Sequence, residues 1–97
     1  MAAQKLNETE LQQALNSLPG WQIKEGKLYK EYKFKDFATA LGWMVTAGVY
    51  AETMGHHPEW SNVYSTVKVN LITHDIGNAI SNLDVELAKR MEEIYSK

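Results

Sequence analysis

A helix-forming run from Phe37 to Met54 divides this chain into two strand-bearing halves, and that division constrains the fold more than any other feature. Asp36 stands where an N-cap belongs, with a carboxylate that can accept from the free amides of the first turn. Gly55 follows the last periodic residue and suits a left-handed closing conformation. Phe37, Leu41, Val45 and Val49 recur every four positions and predict a stripe facing the core. Gly42 and Gly48 each weaken the helix, so close packing is expected there, with an intersubunit contact as one option.

The halves on either side read alike. Trp21 to Lys24 and Lys27 to Phe34 flank Glu25-Gly26, which predicts a hairpin. Leu28, Tyr32 and Phe34 share one face of its second strand, while Lys27, Glu31 and Lys33 lie on the other. Trp60 to Tyr64 and Val67 to Ile72 predict a second pair of strands. A first helix opens at Thr9-Glu10-Leu11-Gln12, a capping-box pattern, carries Leu11, Leu15 and Leu18, and stops at Pro19-Gly20. A last helix opens at Ser81-Asn82-Leu83-Asp84, with Leu83, Leu87, Met91 and Ile94 as its apolar stripe and Lys89 and Arg90 towards its C-terminal half. The order α-β-β-α-β-β-α predicts an α+β fold: a four-stranded antiparallel sheet with three helices packed on one face.

A chain of 97 residues with 44% hydrophobic and 23% charged residues makes one globular domain, residues 1–97. Its core is small enough that oligomerisation is a reasonable way to bury more apolar surface. With no cysteine, disulfides, thiolate zinc sites and cysteine nucleophiles are excluded. The net charge of −2 and the scattered Lys and Arg leave no basic stripe, so direct nucleic-acid binding is not expected. Met1-Ala2-Ala3-Gln4-Lys5 lacks the apolar stretch of a signal peptide. The segment from Phe37 to Met54 is too broken by Thr39, Thr46, Glu52 and two glycines to cross a bilayer. A cytoplasmic protein without membrane contact is the expectation.

All three histidines fall between positions 56 and 74. If the second hairpin turns at Ser65-Thr66, Tyr64 pairs with Val67, Trp60 lies opposite Leu71 and His57 comes opposite His74. That register would set Trp60, Tyr64, Val67, Val69 and Leu71 on one buried face. His56 and His57 also follow a helix C-terminus, whose carbonyls favour a protonated imidazole. Glu52 lies one helical turn before His56, near enough to orient an imidazole or bind a polar ligand group. Pro58 forces His57 into an extended conformation, and Asp75 and Asp84 supply carboxylates beyond the hairpin. Histidines beside carboxylates, with no nucleophile in evidence, suit proton transfer near neutral pH. Zinc is the rival use of three histidines, but adjacent His56 and His57 point apart in an extended chain and no HExxH spacing is present. No metal is expected. Trp21, Trp60 and Tyr64 read as core or pocket wall. Asp84 has a second reading as a favourable charge in a helix's first turn, and Glu52 as a solvated helix residue.

His56-His57-Pro58-Glu59-Trp60, then Asn62-Val63-Tyr64, Thr73-His74 and Asp84, resemble the pterin-4a-carbinolamine dehydratase family. Leu18-Pro19-Gly20-Trp21, Phe34-Lys35-Asp36-Phe37 and Glu52 extend the resemblance over nearly the whole chain. In one respect the chain departs from it: the loop from Asp75 to Ile80 is one residue longer, so Asp84 lies one position further from His74. Because Ser81 and Asp84 still stand as cap and third helical position, the helix start should be kept and the extra residue should bulge.

The resemblance implies a hydro-lyase that converts 4a-hydroxy-tetrahydropterin to quinonoid dihydropterin and water, in recycling of the pterin used by aromatic amino acid hydroxylases, without a cofactor. It implies His56 and His74 as the acid–base pair in either order, His57 holding and polarising the substrate near its hydroxyl, and Asp84 orienting or charge-stabilising a histidine. Glu52, Pro58 and the segment Thr73, His74, Asp75 and Ile76 would help His56 and His57 bind the pterin. It also implies a homodimer or homotetramer formed through helices and sheet edges. Some members of the family act instead as protein-binding partners, stabilising a homeodomain transcription factor dimer or assisting assembly, which is the alternative function for this chain.

Overall fold

A computed structural model describes residues 2–96. The elements run α1 (Glu8–Asn16), β1 (Gln22–Lys24), β2 (Lys27–Lys33), α2 (Phe37–Met54), β3 (Glu59–Val63), β4 (Thr66–Leu71), a 3-10 turn (His74–Ile76) and α3 (Asn82–Tyr95). The strands form one antiparallel sheet in the order β1-β2-β4-β3, so each hairpin supplies one central and one edge strand. The three helices cover one face, giving the α+β fold that the sequence predicts.

Local chemistry explains most boundaries. The Asp36 side chain accepts from the Thr39 amide at 2.8 Å, and the Thr39 side chain, then that amide, holds its carboxyl below the usual range. Gly55 closes α2 at φ 66°. The amides of Gly55 and His56 return to Glu52 and Ala51, the paired bonds of a Schellman ending. At the first hairpin Glu25 and Gly26 both take positive φ, as a two-residue turn between right-twisted strands requires. α1 begins earlier than its sequence suggests: the cap is Asn7, with Glu10 answering as the reciprocal partner, rather than Thr9 with Gln12.

The core joins Leu28 and Tyr32 of β2, Val67, Val69 and Leu71 of β4, and Leu87, Ala88 and Met91 of α3. The stripe of α2 is the opposite of the expected one. Ala40, Trp43, Ala47 and Ala51 are buried, whereas Phe37, Leu41, Val45 and Val49 are 51%, 46%, 60% and 62% exposed. α2 is apolar nearly all round, so four-residue spacing alone does not select its inner face; the small alanines do, by letting the helix lie close to its neighbours. The expected close packing at the glycines is absent at Gly42, where a methyl group would meet open space, and slight at Gly48, whose nearest contact is the Trp60 ring at 4.0 Å.

The second hairpin is shifted by two residues from its expected register. Val63 pairs with Thr66, Trp60 with Val69 and Glu59 with Asn70. Tyr64 therefore occupies the turn, at φ 53° and 81% exposed, and belongs to neither core nor pocket wall. The amide of Asn62 donates to the carbonyls of Tyr64 (3.0 Å) and Thr66 (2.9 Å), fastening this turn from one side. Continued past the strand ends, the observed register sets His56, not His57, beside the end of β4, next to Thr73.

Candidate active site

The Schellman ending of α2 delivers His56 to the sheet end, and Pro58 leads the chain straight on into β3. His56 is buried, with Nε2 2.5 Å from Asp84 Oδ1. Asp84 is fully buried, and its Oδ2 accepts from the Thr73 hydroxyl and from the Ser81 amide, each at 2.9 Å. The Ser81 hydroxyl lies 2.6 Å from Thr73 Oγ1 and accepts from the Leu83 amide at 3.1 Å. Thr73 gives its single hydrogen to Asp84, so Ser81 donates to Thr73. Among the described residues no buried side-chain nitrogen or oxygen lacks a partner, as burial requires. With both oxygens acting as acceptors, Asp84 favours a hydrogen on His56 Nε2 and leaves Nδ1 as the basic nitrogen.

Asp84 serves two elements at once. It is the third residue of α3, completing the Ser81 capping box, and it is also the partner of His56. The start of α3 is the expected one, with Ser81 as cap and Asp84 as third residue, and the loop before it turns twice. Gly77 (φ 84°) and Asn78 (φ 59°) turn left-handed in succession, and Thr73 and Ala79 then pair across the loop's base. The segment before α1 adds support, with the Leu6 amide on Ile80 O (3.1 Å) and the Asn82 amide on Gln4 O (3.1 Å).

His57 and His74 are exposed. His57 Nε2 lies 2.7 Å from Glu52 Oε1; Glu52 thus reaches the second histidine of the pair, one position beyond the residue a helical turn away. His74 Nε2 is 3.1 Å from Glu59 Oε2, and its Nδ1 is 2.6 Å from Asn78 Oδ1. The hydrogen bond to Asn78 raises the pKa of His74 above the ordinary histidine value; loss of hydration opposes it, and the hydrogen bond and charge of Glu59 add to the rise. Glu59 is held below the usual carboxylate range chiefly by Lys27, whose Nζ is 2.6 Å from Oε1.

All three histidines line one open cleft of about 190 Å³, together with Gly55, Ile72, Thr73 and Asp75. Of the sequence-predicted site residues, Asp84 stands behind the wall on His56 and Glu52 stands on His57. Pro58 and Ile76 do not line the cleft. Sequence reasoning did not select Gly55 and Ile72 as wall residues, nor Glu59 and Asn78 as partners of His74. Glu59 sits within the quoted His-His-Pro-Glu-Trp run, and its parity on β3 places it at the strand end facing Lys27. Concavities of about 500 Å³ and 510 Å³ lie on the outer sheet face and beside Pro19, and neither contains a histidine. The histidine cleft is the smaller concavity, and it is the one that all three histidines line. Among the described residues, no three His, Cys, Asp or Glu side chains are grouped so as to hold a metal ion.

The α+β fold thus sets three histidines at one sheet end, one of them seated on a buried carboxylate. The family model for pterin 4 alpha carbinolamine dehydratase matches residues 4–94. Proteins of Brucella ovis and Brucella canis, provisionally named pterin-4-alpha-carbinolamine dehydratases, are each 45% identical over 96 residues, covering 97% of this chain and 98% of their own. A crystal structure described as a transcriptional coactivator/pterin dehydratase from Brucella melitensis is 44% identical. It superimposes with a TM-score of 0.90 over 95% of this chain and 99% of the other. The chain belongs to the pterin 4 alpha carbinolamine dehydratase family.

Proposed function

We propose that this protein is a hydro-lyase that removes water from 4a-hydroxy-tetrahydropterin, using histidines as acid and base, in the recycling of tetrahydropterin. The observation that carries the reading is the convergence of His56, His57 and His74 on one cleft, with His56 seated on buried Asp84. Dehydration needs two proton movements. The leaving oxygen on C4a must receive a proton, and the N5 proton must be removed as the carbon–nitrogen double bond forms. His56 and His74 are the pair that does this. His57, held by Glu52, polarises the substrate near its hydroxyl, and Asp84 orients His56. The backbone from Thr73 to Asp75, which lines the cleft, reads the flat pterin, with Glu52 beside it on His57. No cofactor enters this scheme. An acid–base gain of about 10² to 10⁴-fold is enough for a reaction that already proceeds slowly in water.

The decisive experiment is stopped-flow absorbance of chemically generated 4a-hydroxy-tetrahydropterin, with the unmodified protein and with His74→Ala. The protein is expected to accelerate dehydration and the variant to lose that acceleration. A well-folded protein without acceleration sinks the reading.

The chain works as a homodimer or homotetramer in this proposal. The support is the stripe of Phe37, Leu41, Val45 and Val49 along the outer face of α2, each about half exposed or more; a contiguous apolar face of that length on a soluble chain marks a contact surface. Val45→Asp/Val49→Asp is expected to lower the sedimenting mass to that of a smaller species while leaving the circular dichroism spectrum intact. An unchanged mass would remove α2 from the interface. The same face favours the second reading, a non-catalytic protein-binding or assembly partner, as does the coactivator description of the Brucella melitensis structure. His74→Ala separates the two, since a binding module keeps its partner.

No helix among the described residues is long and apolar enough to cross a membrane. A cytoplasmic site of action belongs to the same proposal.

A further inference from the structure

We propose that Glu59 and Asn78 are positioning residues that hold His74 as the doubly protonated acid of the reaction, which leaves His56 as the base. The inference rests on the dehydratase reading and goes beyond it by dividing the two roles. His74 has an oxygen acceptor at each ring nitrogen: Asn78 Oδ1 at Nδ1 and Glu59 Oε2 at Nε2. A neutral imidazole has one N–H and can satisfy only one of them. The imidazolium satisfies both.

The surrounding charges act in the same sense on balance. Around His74 stand Glu59 from β3, Lys27 from β2 behind it, the neighbouring Asp75, and His56 and His57 across the cleft. Lys27 opposes the imidazolium, but it is the ion-pair partner of Glu59 and keeps that carboxylate charged as pH falls. The clamp therefore persists on the acid side of neutrality. His56 is built differently. Nε2 faces Asp84 Oδ1, and among the described residues no side chain meets Nδ1, which is left to take up a proton.

The step then balances. His74 gives a proton to the C4a oxygen, and the C–O bond breaks with its electron pair leaving as water. N5 gives its proton to His56, and the electrons of that N–H bond complete the double bond to C4a. One proton has moved from His74 to the product water and one from N5 to His56, and exchange with solvent resets both rings. Nε2 is the nitrogen suited to delivery. Its contact to Glu59 is the longer of the two, and Glu59 retains Lys27 when that contact opens.

The test is an NMR titration of the His74 ring beside the pH profile of kcat/KM, in the unmodified protein and in Glu59→Gln, Asn78→Gly and Asn78→Asp. Glycine removes the amide yet keeps the left-handed backbone at position 78. Glu59→Gln and Asn78→Gly are expected to move the His74 midpoint down and to carry the alkaline limb of kcat/KM to lower pH, because less of the acid remains protonated. At pH 8 the loss should be about tenfold, a fraction of the whole acid–base gain. Asn78→Asp should hold or raise the midpoint, a rescue that loop damage could not give. Unmoved midpoints in both Glu59→Gln and Asn78→Gly would overturn the clamp. Midpoints that move without the alkaline limb would overturn His74 as the acid. Absence of acceleration by the unmodified protein would instead overturn the dehydratase reading, and with it any catalytic role for the clamp.

Discussion

Glu92→Ala is expected to melt at least ~12 °C below the unmodified protein, a loss of about 3 kcal/mol for a domain of this size. Glu92 lies on α3, far from the histidine cleft, and its Oε1 gathers three donors. Trp21 Nε1 reaches it at 3.0 Å and the Tyr32 hydroxyl at 2.6 Å, while Lys30 forms an ion pair with it. Lys30 also donates to the Pro19 carbonyl at 2.7 Å and lies over the Tyr32 and Tyr95 rings. The knot thus ties the turn after α1 and the centre of the sheet to α3. Lys30 and Glu92 side chains are only 14% and 18% exposed, so the pair is far less screened than a surface pair. Alanine strands a half-buried ammonium and leaves the buried Tyr32 hydroxyl, whose pKa burial and Glu92 already push up, without its acceptor. Removing both charges together, as Lys30→Met/Glu92→Gln, should recover part of the loss, since an unpaired buried charge costs more than an absent pair. Calorimetric melting of the three proteins decides it. A midpoint within about 4 °C of the unmodified protein for Glu92→Ala would mean the knot contributes less than about 1 kcal/mol.

Asp84→Asn is expected to lower kcat/KM by about 10² to 10³-fold, because its side chain no longer fixes which His56 nitrogen carries hydrogen. Asparagine keeps the shape but offers one acceptor oxygen where the carboxylate offers two. The oxygen cannot serve His56 and the Ser81–Thr73 side together, so one of the donors arranged around Asp84 faces an NH₂ group. In the same variant α3 loses part of its cap, at about 1 to 2 kcal/mol. The two effects are separable: His56 chemical shifts and kcat/KM report the ring, and chemical denaturation reports the cap. A variant with near-normal turnover and lowered stability would make Asp84 a helix cap alone.

How far the sequence could be read varied with how local the determining chemistry is. Asp36, Gly55, Ser81 and Asp84 act within a turn of where they stand, and each ended or began a helix as expected. The α3 stripe of Leu83, Leu87 and Met91 was legible because polar residues fill its other face. α2 was misread because its apolar residues surround it, and the choice between aliphatic stripe and alanine stripe depends on how close its neighbours come. The hairpin register slipped by two because Tyr64 adopts a left-handed turn conformation that its bulk disfavours. That slip kept strand parity, so Val67, Val69 and Leu71 still face the core while Tyr64 does not. Lys30 has core-side parity on β2, between Leu28 and Tyr32. Its charge hid that inward direction, since the partner, Glu92, is remote in sequence.

The histidine cluster was legible from spacing, and its union with Asp84 from the resemblance. The contacts of Glu59 and Asn78 with His74 were not. The first depends on the corrected register of β3, and the second on two consecutive left-handed residues in the loop. Neither follows from composition or periodicity.

The strand order β1-β2-β4-β3 also bears on how the molecule comes together. Each outer strand joins its neighbour through a two-residue turn, a closure that takes microseconds. The central seam, from Leu28 opposite Leu71 to Lys33 opposite Thr66, joins segments on either side of the long helix and must wait for loop closure over that whole span. Kinetically the chain is two half-molecules hinged by a splint, and the rate at which it folds is set by the meeting of those halves. The histidine cleft draws on the end of the splint, the second half and the start of α3, and it is tied to the first half by Lys27, which reaches Glu59 across β4.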